Sequence, residues 1–152
     1  MIIICEPQVK EFGHEKINSG FIYMLRLAYP DEKLVFYAHS SHILAIKEIF
    51  IHDKIDVQNI EYVSIKFISS FSKSGMKVYS SLFIKIFSET INYGSDKIFF
   101  LSFSAPILYV IKKLKKKSNF SNIKFTFVTH RDFENIVDNV DQDSIHPPPP
   151  PV

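Results

Sequence analysis

The chain has 152 residues, 46% of them hydrophobic and 22% charged, with a formal net charge of +2. That length suits one domain able to bury its own core, and the apolar fraction with 15 phenylalanines excludes a disordered chain. The single cysteine, Cys5, excludes a disulfide scaffold and a four-cysteine zinc site, and so small a net charge gives no bulk electrostatic reason to bind nucleic acid.

The opening Met1-Ile2-Ile3-Ile4-Cys5 has no basic n-region and stops at Glu6-Pro7, unlike a signal peptide. The longest apolar stretch, Ile98 to Ile111, is interrupted by Ser102, Ser104 and Pro106 and falls short of the roughly 20 residues of a spanning helix. The expected location is the cytoplasm.

Along the chain, short β-rich runs alternate with helical periods. Ile2 to Cys5 is apolar on both faces, as in a central parallel strand. Ile17, Phe21, Leu25 and Ala28 share one face of a helix over Glu15 to Tyr29, which Pro30-Asp31 ends. Leu34 to Ala38 reads as a second strand, followed by a helix with Ile43, Ile46 and Phe50 on one side, and Ile60 to Phe67 as a third strand. A serine-rich loop, Ser69 to Ser74 with Gly75, leads into a helix whose expected core stripe is Val78, Leu82, Ile86, Thr90 and Tyr93, closed by Gly94. Ile98 to Leu101 is the fourth strand. Ser104 suits an N-cap and Pro106 a first helical turn. Ile107, Val110, Ile111 and Leu114 then form a core face, and Lys112, Lys113, Lys115, Lys116 and Lys117 load the C-terminus, where cations suit the dipole. Phe125 to Val128 is a fifth strand.

This alternation predicts an α/β fold, a doubly wound, Rossmann-like parallel sheet. The domain is expected over 1–137, with 138–152 a disordered polar and polyproline tail, because Pro147 to Pro151 force an extended segment. Right-handed crossovers bring the C-terminal end of every strand to one edge, where such sheets bind ligands. The candidate site is therefore the set of residues just after each strand, including Glu6 to His14, His39, Ser69 to Gly75, Ser102 to Ser104, and His130.

His14, His39 and His130 share that edge, and imidazoles there handle protons or bind hydroxyls near neutrality; the alternative for each, and the reading adopted for His39, is a solvated loop histidine. His52 and His146 read as bland. Gly13 permits close backbone approach, and Phe12-Gly13-His14 with Asn18, Ser19 and Gly20 reads as a loop opening a helix. Neither a dinucleotide fingerprint nor a Walker-type loop is present. Asp141 and Asp143 read as a solvated charge run rather than a metal site, and Cys5 as buried filler. The lysine run of 112–117 reads as a solvated helix end, with peripheral contact to an anionic membrane face as the alternative.

The opening Ile2-Ile3-Ile4-Cys5-Glu6-Pro7-Gln8, with Phe12-Gly13-His14-Glu15, Asn18-Ser19-Gly20 and the Phe127-Val128-Thr129-His130 strand end, resembles the N-terminal domain of bacterial GT-B-fold glycosyltransferases of family 4-like type, including those of polysaccharide biosynthesis. The likeness covers about residues 1–137. It implies an acceptor-side domain that binds a sugar acceptor, a glycan or lipid-linked molecule, and meets a nucleotide-sugar donor only through a second domain or chain. It assigns His14 and His130 as catalytic cleft residues and Gly13, Asn18, Ser102 and Ser104 as substrate-binding neighbours, with no cofactor and no metal. The pair of glutamates separated by seven residues that marks the family's donor domain is missing, and the first loop keeps only Gly13 of a glycine pair. The chain is therefore expected to be inactive alone, either a truncated product, which the proline tail favours, or one half of a split enzyme. The rival readings are a stand-alone flavodoxin-like or nucleotide-binding module and a non-catalytic interaction domain.

Overall fold

A computed structural model describes residues 1–8, 14–66, 73–94, 97–102, 104–117 and 119–128. Its elements alternate as the hydrophobic periods require: β1 (Ile2–Cys5), α1 (His14–Ala28), β2 (Leu34–Ala38), α2 (Ser40–His52), β3 (Ile60–Ser64), α3 (Lys73–Tyr93), β4 (Lys97–Phe100), α4 (Ala105–Lys115) and β5 (Thr126–Phe127). The five strands form one sheet of order β3-β2-β1-β4-β5, every neighbouring pair parallel. This is the expected doubly wound, Rossmann-like α/β fold. The order differs from the 2-1-3-4-5 of flavodoxin-like sheets, which removes that part of the rival reading.

β1 lies at the centre, and its four residues are fully buried. Because side chains alternate across a strand, β1 feeds two cores. Ile3 and Cys5, with Val35, Tyr37, Ile98 and Phe100, face α3 and α4; Ile2 and Ile4, with Leu34, Phe36 and Leu101, face α1 and α2. The α3 side is built from rings. Phe83 meets Phe100 edge-on at 5.4 Å between centroids and stacks on Tyr79 at 5.8 Å, while Phe87 packs against Phe120 and Phe125.

Several elements differ from the sequence expectation. The core stripe of α3 is Tyr79, Phe83, Ile86, Phe87 and Thr90, whereas Val78 and Leu82 are only partly buried and Tyr93 is 72% exposed. The helix turns its larger aromatic surfaces inward, because they remove more apolar area from water than the aliphatic row beside them. Ala28 is likewise exposed at the end of α1. β3 stops at Ser64, four residues running as strand on the sheet's outer edge beyond Ile60, and β5 holds only Thr126 and Phe127. Gly94 closes α3 at φ +67°, the left-handed cap the sequence suggests. Phe67, the 138–152 tail and the 69–72 loop lie outside the described residues.

The N-terminal edge of the sheet is tied down. Arg26, buried at the end of α1, donates to the carbonyls of Tyr29, Glu32 and Gln58, and the Met1 ammonium pairs with Glu32 at 2.6 Å. The turns at that edge are thus tied to α1 and to the chain start.

Phe83→Ala is expected to lower the unfolding free energy by about 3–5 kcal/mol, read from urea denaturation. Ile51→Ala, on the exposed face of α2, should stay within about 0.5 kcal/mol of the parent chain.

Candidate functional site

The parallel ladder continues one residue past the strands. Glu6 N–H donates to Tyr37 O, Leu101 N–H to Cys5 O, Ile65 N–H to Ala38 O and Val128 N–H to Phe100 O, at 2.7–2.9 Å. Immediately beyond stand Pro7 and Gln8 after β1, His39 after β2, Lys66 after β3 and Ser102 after β4. The chain leaves β1 for α1 on one face of the sheet and β4 for α4 on the other, which makes the β1–β4 ends the switch point at which sheets of this kind form their binding crevice.

The β1–β4 mouth is polar and buried. Glu6 is 1% exposed and Ser102 7% exposed. Ser102 Oγ and Gln8 Oε1 are both buried with no hydrogen-bond partner among the described residues. Buried polar atoms are normally satisfied, and each one left over costs about 1–3 kcal/mol, so two at the same switch point single out this edge as the candidate site. Ser104 takes the extended N-cap conformation of α4, with φ −144° and ψ 169°, but its hydroxyl makes no capping bond. The capping geometry expected from sequence is present without the side-chain bond.

A second polar group lies where α1 and α2 start. Asn18 belongs to α1 rather than to a preceding loop, because the helix already begins at His14. Its amide nitrogen lies 2.9 Å from His42 Nε2. An amide nitrogen only donates, so Nε2 accepts and the imidazole carries its proton on Nδ1. His42 is 3% exposed and packs on Phe36 at 6.1 Å between centroids. Burial pushes its pKa from 6.5 down to about 4; His14 and His39 push the same way, and Glu15 opposes them. His42 is thus a neutral imidazole at physiological pH that fixes α1 against α2. Ser19 Oγ is committed to Lys16 O at 2.7 Å, and His39 is the N-cap of α2, its Nδ1 accepting from Ser41 N–H at 3.2 Å.

Of the residues singled out from sequence, His14 is half-buried at the start of α1, Asn18 and Ser102 are buried, and Ser104 is half-buried at the start of α4. Gly13 and His130 lie outside the described residues. His52 is exposed and paired with Asp53 at 2.9 Å, and Cys5 is fully buried with its thiol pKa raised by burial and by Glu6. Sequence reasoning missed His42 and undervalued Gln8 and Glu6. The signal for His42 was its place three residues after His39, on the first turn of a helix that follows a strand.

The crevice offers a carboxylate, an amide carbonyl and two hydroxyls from Glu6, Gln8, Ser102 and Ser104, without a cation among them. Such groups can donate to and accept from the hydroxyls of a ligand. Among the described residues no cluster of three or more His, Cys, Asp or Glu side chains can hold a metal ion. A separate cavity of about 570 Å³ lies on the α3 face, away from this edge, where the Tyr37 hydroxyl donates to Glu89 and Lys33 pairs with Glu61 at 2.9 Å.

His42 makes stability depend on pH. Its folded pKa lies below its unfolded value, so the unfolded chain takes up the proton first as pH falls, and the native state loses stability between pH 6.5 and about 4. The loss from this group is expected to be on the order of 2–3 kcal/mol. His42→Gln should remove it, seen as a flatter curve of unfolding free energy against pH in urea titrations of the two chains. No protein-family model matches this chain and no curated protein matches it, so the chemistry of the edge is the basis for assigning a function.

Proposed function

We propose that this chain is the acceptor-side half of a GT-B-type glycosyltransferase, holding a glycan or lipid-linked acceptor while a second domain or chain supplies the nucleotide-sugar. The observation that carries the reading is the pair of buried, unpartnered atoms, Ser102 Oγ and Gln8 Oε1, beside buried Glu6 at the β1–β4 switch point. A hydroxyl-rich ligand both donates and accepts, so it satisfies a carbonyl oxygen and a serine hydroxyl together.

In this reading His14, half-buried at the start of α1 and close enough to influence His42, is the acid–base candidate nearest the crevice. Asn18 and His42 act one step back as positioning residues, because their polar atoms are spent on each other. His130, Gly13 and Ser104 keep the cleft roles that the family resemblance implies. The doubly wound order also favours a mononucleotide module as the second reading, since sheets of this order bind nucleotides at the same switch point.

Amide chemical-shift titration separates the two. With mono- and disaccharides the resonances of Gln8, His14 and Ser102 should move, with Kd values of about 1–10 mM, and Ser102→Ala should weaken the effect several-fold. FMN, NAD and ADP should leave them in place, and the chain alone should transfer no sugar. Tight nucleotide binding at these residues, or no response to any saccharide, overturns the acceptor-side reading.

A further inference from the structure

The outward face of the α3–α4 pair has a composition that the sheet edge does not explain. The buried stripe of α4 is Ile107, Val110, Ile111 and Leu114. Its solvent stripe begins with Leu108 and Tyr109 and ends in Lys112, Lys113, Lys116 and Lys117, all exposed. Residues spaced by three and four lie on one side of a helix, so these side chains share one surface. Beside them runs a groove of about 500 Å³ between α3 and α4, to which α3 contributes exposed Lys77 and Ile84.

Charge is concentrated there. α4 contains no acidic residue and α3 only Glu89, which lines the cavity on the other side of α3 with Tyr37 and Lys85. Among the described residues outside α3, α4 and Lys116–Lys117, eight lysines and arginines balance eight aspartates and glutamates, so the positive charge of the described residues gathers on these two helices. Lys115 does not contribute to it, because its ammonium donates to the carbonyls of Ser121 and Ile123 and lies over the Phe125 ring.

We propose that this face docks on the surface of an anionic lipid bilayer, with lysines meeting the headgroups and Leu108 and Tyr109 reaching the interfacial layer. Lysine ammoniums are compact, hydrated point charges that suit diffuse attraction to a charged plane; paired recognition of nucleic-acid phosphates favours the guanidinium fork of arginine, and none of the α3 and α4 residues is arginine. Tyr109, a residue 52% exposed, has the amphipathic shape that settles at headgroup depth. The core-facing stripe of α4 stays committed to Phe87 and its neighbours, so contact is superficial and reversible, and no helix among the described residues is long and apolar enough to cross a membrane. The inference does not depend on the transferase reading, because it uses none of the edge residues.

Co-sedimentation of the full chain with vesicles tests it. Vesicles of phosphatidylcholine with about 30 mol % phosphatidylglycerol should bind at least tenfold more tightly than phosphatidylcholine alone. Raising NaCl from about 0.1 M to about 0.5 M should release most of the protein. The quadruple variant K112E/K113E/K116E/K117E should lose at least tenfold in affinity, and L108S/Y109S several-fold, with unchanged far-UV circular dichroism in both. Equal binding to neutral and anionic vesicles, anionic binding that the quadruple variant retains, or preference for single-stranded RNA over anionic vesicles would each overturn the proposal. If an L108S/Y109S chain fails to fold, L108Q alone gives the same reading.

Discussion

The burial of β1 on both faces is the constraint from which the architecture follows. Four residues, Ile2 to Cys5, have no exposed surface, and a strand in that position needs a helix layer on each side and a strand on each edge. The first α/β units supply one layer and one flank, through α1, β2, α2 and β3. Since right-handed crossovers place α1 and α2 on the same face, the other face stays open until α3 carries the chain back across it to β4. The long aromatic helix α3 is thus the element that seals the second core, and its Phe83–Phe100 contact joins the crossover to the strand that it delivers.

The same return creates the site. Had β4 added beyond β3, neighbouring strand ends would all have led to helices on one face and no crevice would open. Because β4 pairs with β1 instead, Gln8 and Ser102 follow adjacent strand ends although they are more than 90 positions apart in the chain, and each has a buried polar atom with no hydrogen-bond partner among the described residues. The opposite end of the sheet has its own turns clamped by Arg26 and by the Met1–Glu32 pair. Rigid anchoring at one end and open polar chemistry at the other is the division of labour expected of a binding scaffold.

His42 shows how a helix joint and a site are linked. Its imidazole is held neutral by burial, and the bond from Asn18 requires that state. The bond ties the starts of α1 and α2 together, beside the apolar packing that the two helices share through Phe21, Leu25, Ile43 and Ile46. Protonation of Nε2 removes its acceptor lone pair and so breaks this bond.

The amino-acid sequence by itself determined the alternation of elements, the apolar β1, the caps at Gly94 and around Ser104, and the lysine-rich end of α4, since each is written in local periodicity or in a residue's own conformational preference. Only the tertiary structure decided the order β3-β2-β1-β4-β5, the aromatic stripe that α3 turns inward in place of Val78, Leu82 and Tyr93, and the pairing of Asn18 with His42. Strand order depends on which edge of β1 the crossover reaches. A helix with apolar residues on two adjacent rows chooses between them only when a facing surface, here Phe100 and its neighbours, rewards the larger rings. Partners 24 positions apart, as Asn18 and His42 are, leave no local trace in the chain, because their meeting is a property of two helices packed side by side.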